Sequence, residues 1–365
     1  MKLHVFNPEH DIALAHDDQY FTAPKVARML REGCDFLPAL WAGEDDCVLV
    51  GDVNAAEEKL RKSCVEVKDV SFITQSDLCF LSKDTVVEPW GWDSALCFQL
   101  TKHGLPGVCL PDDGYLRDVR MLSCRTFSSK VLSMLRKEID SNSTFTIGES
   151  YYITDIEELV YYIHDLERCV LKEPWSCSGR GVRYVACEPV VNSAVRFEPL
   201  AMPLLNWARN IIKQQGGIML EPYYNNVKDF GMEFLCNAEG VEYQGLSVFS
   251  TESGFYHGNI VASEDFKLQM LSQWITAERL LMVKKAIKDI LSEEMGNRYC
   301  GPFGVDMMIV KSDDGSIRLH PMVETNVRRT MGHVALSLFG KLPFDAAVLS
   351  LFRNDCIVSR CDSLL

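Results

Sequence analysis

The 365-residue chain has no uninterrupted apolar run approaching the roughly 18 residues of a membrane-spanning helix. Residues 1–15 carry Lys2, Glu9 and Asp11 where a secretory signal would need an apolar core, so a cytoplasmic protein without membrane association is expected. A positive charge excess is also missing. With 37 Lys plus Arg against 51 Asp plus Glu, the net charge of -14 has the wrong sign for binding nucleic acid through its phosphates. No two of the 14 cysteines are spaced Cys-x-x-Cys, which argues against structural zinc; without a secretory signal they are expected to be reduced and mostly buried. There is no internal repeat and no low-complexity tract. The phosphate loop Gly-x-x-x-x-Gly-Lys is absent, and Gly179-x-Gly181 lacks the third glycine of a dinucleotide fingerprint.

What is present is an ordinary globular composition, 47% hydrophobic and 24% charged, over a length that suits two or three compact units. The first 120 or so residues alternate short apolar strands (3–6, 47–50, around 86–87) with helices: 24–32, opened by Pro24 and followed by Gly33, and 93–103, closed by Gly104. This predicts a small parallel α/β unit. Two of its strands run into polar loops, 7–11 and 88–93, and ligands of open parallel sheets bind beyond the carboxyl ends of the strands. From about Ser123 the pattern changes to longer helices (126–137, 156–166, 204–213, 277–291) and strands, ending in a hairpin of 303–310 with 317–323.

That hairpin carries the sharpest chemical signal. Asp306, Glu324 and Asn326 stand in otherwise apolar strands, where an unpaired charge is costly. A two-residue turn would put Asp306 and Glu324 on opposite faces; a three-residue loop, 313–315 with Gly315 left-handed, pairs 306 with 322 and makes the carboxylates diagonal neighbours on one face. The three-residue loop is therefore predicted. Three oxygen donors on one face suit Mg²⁺, which is usually shared between a few carboxylates and the phosphates of a substrate. A second signal is the strand delivering Lys172 into a loop with Ser176, Ser178, Gly179 and Gly181, whose backbone N–H groups can approach phosphate oxygens.

In order along the chain, Arg125 before a helix, Lys172 ahead of a glycine-rich loop, Glu221-Pro222-Tyr223-Tyr224, and Asp306 followed by Glu324-Thr325-Asn326 resemble the ATP-grasp family over roughly 123–332. The resemblance implies an α/β fold made of an N-terminal parallel α/β domain (1–120) and two α+β ATP-grasp subdomains (121–215 and 216–365) that clamp ATP, with Gly216-Gly217 at their joint. It implies that Arg125 and Lys172, with Ser178, Gly179 and Gly181, contact the ATP phosphates. By the same likeness Glu221 to Tyr224 meet the adenine, Asp229 meets the ribose, and Asp306, Glu324 and Asn326 hold Mg²⁺. Many peptide-forming relatives have an arginine two residues before the first metal aspartate; this chain has Gly304 there, which leaves Arg328 or Arg329 to hold a substrate carboxylate beside Lys172. The activity so implied is ATP- and Mg-dependent ligation of a small carboxylate to an amine, with an amino acid or small peptide as substrate. A phosphotransferase and a non-catalytic nucleotide sensor stay open as alternatives, as do monomer and homo-oligomer.

Overall fold

The computed structural model describes residues 1–63, 65–140, 142, 144–176, 181–187, 200–252, 255–343, 345–352 and 355–360. The N-terminal unit is a four-stranded parallel sheet of β1 (Lys2–Val5), β2 (Cys47–Leu49), β3 (Ser71–Ile73) and β4 (Val86–Pro89), in the order β3-β2-β1-β4. Its strands are short and its apolar residues, such as Leu3, Val5 and Val87, are buried among Leu78, Leu96 and Leu100. Gly33, expected just past the end of its helix, lies within Lys25–Cys34. Strand β3, only three residues long, and the mostly polar helix Val53–Lys62, capped by Asp52, are not among the elements expected from the sequence.

The second sheet is antiparallel: β5 (Tyr151–Ile153), β6 (Arg168–Lys172), β7 (Val182–Ala186) and β8 (Ile218–Pro222), ordered β5-β8-β6-β7. Leu159 and Ile163 of one helix and Ala208 and Ile211 of another bury its apolar face of Ile153, Leu171, Ile218 and Leu220. The third sheet has seven strands: β9 (Asn226–Asn237), β10 (Gly240–Glu252), β11 (Phe255–Val261), β12 (Gly301–Lys311), β13 (Ile317–Asn326), β14 (Ala347–Phe352) and β15 (Asp355–Arg360), ordered β13-β12-β9-β10-β11-β14-β15. The helices Arg125–Ile139 and Ala277–Met295 cover one face. Their Val131, Leu135, Val283 and Ile287 pack with Phe230, Met232, Phe234, Phe303, Val305 and Met307. Because strand side chains alternate, the residues between these apolar ones line the other face.

This is the arrangement expected of an ATP-grasp fold, a parallel α/β unit followed by two α+β units. The expected boundaries differ in detail. Strand β8 pairs with β5 and β6, so the crossing between the two antiparallel sheets runs through 222–226. Gly216 instead caps a helix at φ +84°, and Gly217 packs against the Tyr152 ring, where a Cβ would stand 2.4 Å from ring carbon Cζ. The helix Arg125–Ile139 belongs to the core of the seven-stranded sheet. Cys34, Cys47, Cys124, Cys169 and Cys236 are buried. Among the described residues no helix is long and apolar enough to cross a membrane.

Phe234 is fully buried, stacked on Phe303 at 5.2 Å between centroids and edge-on to Tyr243 at 5.7 Å. Phe234→Ala should therefore cost about 3–5 kcal/mol in chemical denaturation. Phe80→Ala, at a side chain 84% exposed, should stay within about 0.5 kcal/mol of wild type.

Candidate active site

The site is built on the face of the seven-stranded sheet opposite the helices. The β12–β13 loop has three residues, 313–315: Lys311 pairs with Ile317, the Ser312 N–H donates to the Ser316 carbonyl at 2.9 Å, and Gly315 has φ +81°. The expected register holds from there to Met308 opposite His320. A bulge then intervenes, with residues 321–323 opposite Met307 alone, so Asp306 stands directly across from Glu324 and Gly304 across from Asn326. The carboxylates are thus directly opposed and not diagonal, as predicted. The shift also restores the alternation that buries Met322 and Thr325 while keeping Glu324 and Asn326 on the site face. Asn326 Nδ2 donates to Asp306 Oδ2 at 2.9 Å.

Two basic side chains reach this region from elsewhere. Arg125, the first residue of its helix, is buried; its Nη2 lies 2.9 Å from both carboxylate oxygens of Glu324. Its Nη1 donates to the Glu173 carbonyl at 2.6 Å and to Ser176 Oγ at 2.8 Å. Lys172, at the end of β6, pairs with Glu221 of β8 at 2.5 Å. Gly181 returns the loop onto its start: the Glu173 N–H donates to its carbonyl at 2.9 Å, and a Cβ at 181 would stand 2.4 Å from Ser176 Oγ. Ser178 and Gly179 lie outside the described residues. Pro222 ends β8, the Arg168 guanidinium lies over the Tyr223 ring at 4.2 Å, and Tyr224 meets His320 edge-on at 5.6 Å. Asp229 accepts from Asn226 Nδ2 and Thr251 Oγ1, each at 2.7 Å.

The overall arrangement of the chain resembles several solved structures. N5-carboxyaminoimidazole synthetase from Staphylococcus aureus, complexed with ADP, aligns at a TM-score of 0.47 and 13% identity, over 96% of this chain and 82% of that one. The biotin carboxylase domain of the 2-oxoglutarate carboxylase of Hydrogenobacter thermophilus gives 0.48 and 14%, over 96% and 74%. D-alanyl-alanine synthetase A of Vibrio cholerae gives 0.43 and 9%, over 90% and 88%. Likeness at this level says nothing of substrate or reaction. No protein-family model matches the chain, and no curated protein sequence does.

The electrostatics follow from burial. Asp306 is pushed up to about 7, first by burial and then by Glu324 and Glu233. Burial opposes the charge of Arg125, but Glu324 and then Glu221 more than offset it and hold the guanidinium above its ordinary value. Asp306 and Glu324 form an opposed acidic pair of the kind a divalent cation neutralises, and the Asn326 amide oxygen beside them accepts from Arg328 Nη2 at 3.0 Å. Among the described residues no group of three or more His, Cys, Asp or Glu side chains could hold a metal ion, so substrate phosphates and water would have to complete the coordination of Mg²⁺ here. His320, on the same face, is buried and accepts or donates no ring hydrogen bond; burial first, then Lys172 and Arg136, push it down to about 3, so the ring is neutral.

The N-terminal loops meet the sheet here. Asn7 Nδ2 donates to the Gly91 carbonyl at 2.8 Å and to Asp93 Oδ2 at 3.1 Å, and His10 Nδ1 lies 3.2 Å from the same oxygen, so these residues fasten the two loops together. Asp11 receives Arg328 through Nε at 2.9 Å and Nη2 at 2.8 Å. Burial works against the Asp11 charge, and Arg328 holds the carboxyl below its usual range all the same. Arg329 goes elsewhere: its N–H donates to the Trp90 carbonyl at 2.8 Å and its guanidinium lies 4.6 Å over Trp41. Arg328 therefore lines the central cavity of about 270 Å³, with Asp11, Asp306, Glu324 and Asn326, and Arg329 does not.

Sequence reasoning missed Glu233 and Ser247, which line the same cavity as Asn259. Pairing of Gly304 with Glu233, Gly231 with Ser247, and Phe249 with Asn259 carries the site face across β9, β10 and β11. The available signal was the alternation Phe230-Gly231-Met232-Glu233-Phe234, which leaves a glutamate facing away from three buried apolar residues. Gly304, where the resemblance implies an arginine in peptide-forming relatives, is crowded by this glutamate: a Cβ there would stand 2.7 Å from Glu233 Oε2.

A carboxyl at about 7, above the ordinary 3.8, takes up a proton on folding, so its contribution to stability is greatest below the ordinary value and is lost as pH rises through 7. Asp306→Asn should accordingly melt at a higher temperature than wild type at about pH 8, with the gain fading to nothing near pH 4. Stabilisation by added Mg²⁺ should be lost in the variant, which thermal melts with and without the ion will show.

Proposed function

We propose that the chain is an ATP-grasp enzyme that uses ATP and Mg²⁺ to activate a small carboxylate and join it to an amine. The observation that carries this reading is the position of Arg125: one buried guanidinium hydrogen-bonds both to Glu324 of the acidic face and to the loop that follows Lys172. A triphosphate between these elements would meet cationic side chains on one side and a cation-holding carboxylate pair on the other. Such a pairing suits phosphoryl transfer, where catalysis is mostly positioning and charge neutralisation.

In this reading the substrate carboxylate attacks the γ-phosphorus of ATP, releasing ADP and leaving an acyl phosphate; the amine then displaces phosphate to form the amide. Mg²⁺, when bound by Asp306, Glu324 and Asn326, supplies charge neutralisation at the triphosphate. Lys172 and Arg125 orient the phosphates, and no residue need become covalently modified. Glu221 to Tyr224, at the crossing between the two antiparallel sheets, offers the adenine a largely apolar edge with the neutral His320 beneath it, and Asp229 the ribose. Arg328 is held by Asp11 and faces the cavity, so it is the arginine placed to contact a substrate carboxylate or its developing charge. An amino acid or small peptide is the substrate class proposed.

Expected in an ADP-release screen over pairs of amino acids is turnover that requires ATP, Mg²⁺, a carboxylate and an amine together. Glu324→Gln should lower this by at least about 10³-fold with the fold intact by circular dichroism. ADP release with a single non-amine acceptor would replace ligation by phosphotransfer, and undiminished activity in Glu324→Gln would remove the metal assignment.

A further inference from the structure

Glu233 is 3% exposed and sits mid-strand on the site face, beside the proposed metal ligands but not among them. The chain makes room for its carboxylate by omitting side chains. A Cβ at Gly332 would stand 1.8 Å from Glu233 Oε1 and 2.5 Å from Ser247 Oγ, and one at Gly304 would crowd Oε2. Its Oε2 nevertheless accepts no hydrogen bond among the described residues, although His333 Nδ1 lies 2.9 Å away. That nitrogen already accepts the Thr330 N–H at 3.2 Å and lies 3.0 Å from the Thr330 hydroxyl, while Nε2 lies 3.2 Å from the Phe234 carbonyl, which can only accept. With the Thr330 N–H directed at Nδ1, the ring offers Glu233 no aligned N–H.

A buried carboxylate oxygen left without a donor among the described residues is open to one from a ligand. The rest of the cavity says which kind. Of its charged lining, Asp11 is held by Arg328 and Glu324 by Arg125, whereas Glu233 and Asp306 have no arginine or lysine paired with them among the described residues. Ser247 Oγ accepts from Asn259 Nδ2 at 2.7 Å, and Asn259 Oδ1 accepts from Tyr256 at 2.6 Å, a polar wall next to Glu233. Trp90, Phe6 and Phe249 supply aromatic faces, which attract cations.

We propose that this part of the cavity is the acceptor subsite and selects an ammonium-bearing substrate, with Glu233 as the anion that receives its N–H groups and takes one proton from it before the freed amine attacks. The assignment rests on the ligase reading for the word acceptor, but not for the binding site itself. Glu233 is a specificity-determining residue in this view, and the metal-site carboxylates are separate from it.

The test uses the full chain and two probe sets, the common amino acids and their α-hydroxy acid counterparts, titrated calorimetrically. At least one amino acid should bind wild type 10-fold or more tightly than its hydroxy counterpart, and Glu233→Gln should abolish that preference; the figure is of the order lost with one charge-assisted hydrogen bond. In turnover with ATP and Mg²⁺, the substitution should raise KM for that amine roughly 10- to 100-fold. Wild type should also form a hydroxamate with hydroxylamine, an amine uncharged at neutral pH. A preference that survives in Glu233→Gln overturns the proposal, as does wild type that does not discriminate amine from hydroxyl. Discrimination without hydroxamate formation supports the subsite and removes the ligase reading instead. The wild-type comparison decides without any variant, should Glu233→Gln fail to fold.

Discussion

One buried guanidinium connects the parts of this molecule that have to act together. Arg125 is the first residue of a helix in the core of the seven-stranded sheet. From there it holds Glu324 on that sheet, and the Glu173 carbonyl and Ser176 hydroxyl in the loop leaving the second sheet. Taking such a group out of water is costly unless it is paired and hydrogen-bonded, and here both its terminal nitrogens are engaged. Without it, Glu324 and Asp306 would face each other across neighbouring strands with Asn326 and the more distant Arg328 to moderate them. The same residue also fixes the approach of the Lys172 strand to the acidic face.

The site is an unequal gathering of charge that the fold maintains at a cost. Burial, and then Glu324 and Glu233, raise the Asp306 carboxyl, whereas Asp11, equally enclosed, is held below its usual range because Arg328 pairs with it. The two aspartates of one cavity differ in whether acids or a paired guanidinium stand beside them. Residues that a stability argument would replace are, in this account, those that carry chemistry.

Much of this could be read from the sequence, and the failures have definite causes. The hairpin, its left-handed Gly315 and the shared face of Asp306, Glu324 and Asn326 follow from strand alternation and turn chemistry. The bulge at 321–323 does not, because it depends on how Met322 and Thr325 reach the core. Arg125 and Lys172 could be placed on their elements, but their partners Glu324 and Glu221 are set by tertiary packing. Glu233 escaped notice because register across β9, β10 and β11 had to be known before its neighbours could be. Strands β14 and β15 extend the sheet with a C-terminal segment in which no strand was predicted. Arg328 and Arg329 are adjacent and chemically alike; only the backbone bond from Arg329 to Trp90 sends them to different places.

The central claim is that a nucleotide and its metal lie between the Arg125–Lys172 side and the acidic face. A crystal structure of the chain with Mg²⁺ and a non-hydrolysable ATP analogue tests it most directly. The account predicts an ion bound by Asp306, Glu324 and Asn326, with the triphosphate against Arg125 and Lys172. A nucleotide seated elsewhere, or an ion bound without these three residues, would contradict it.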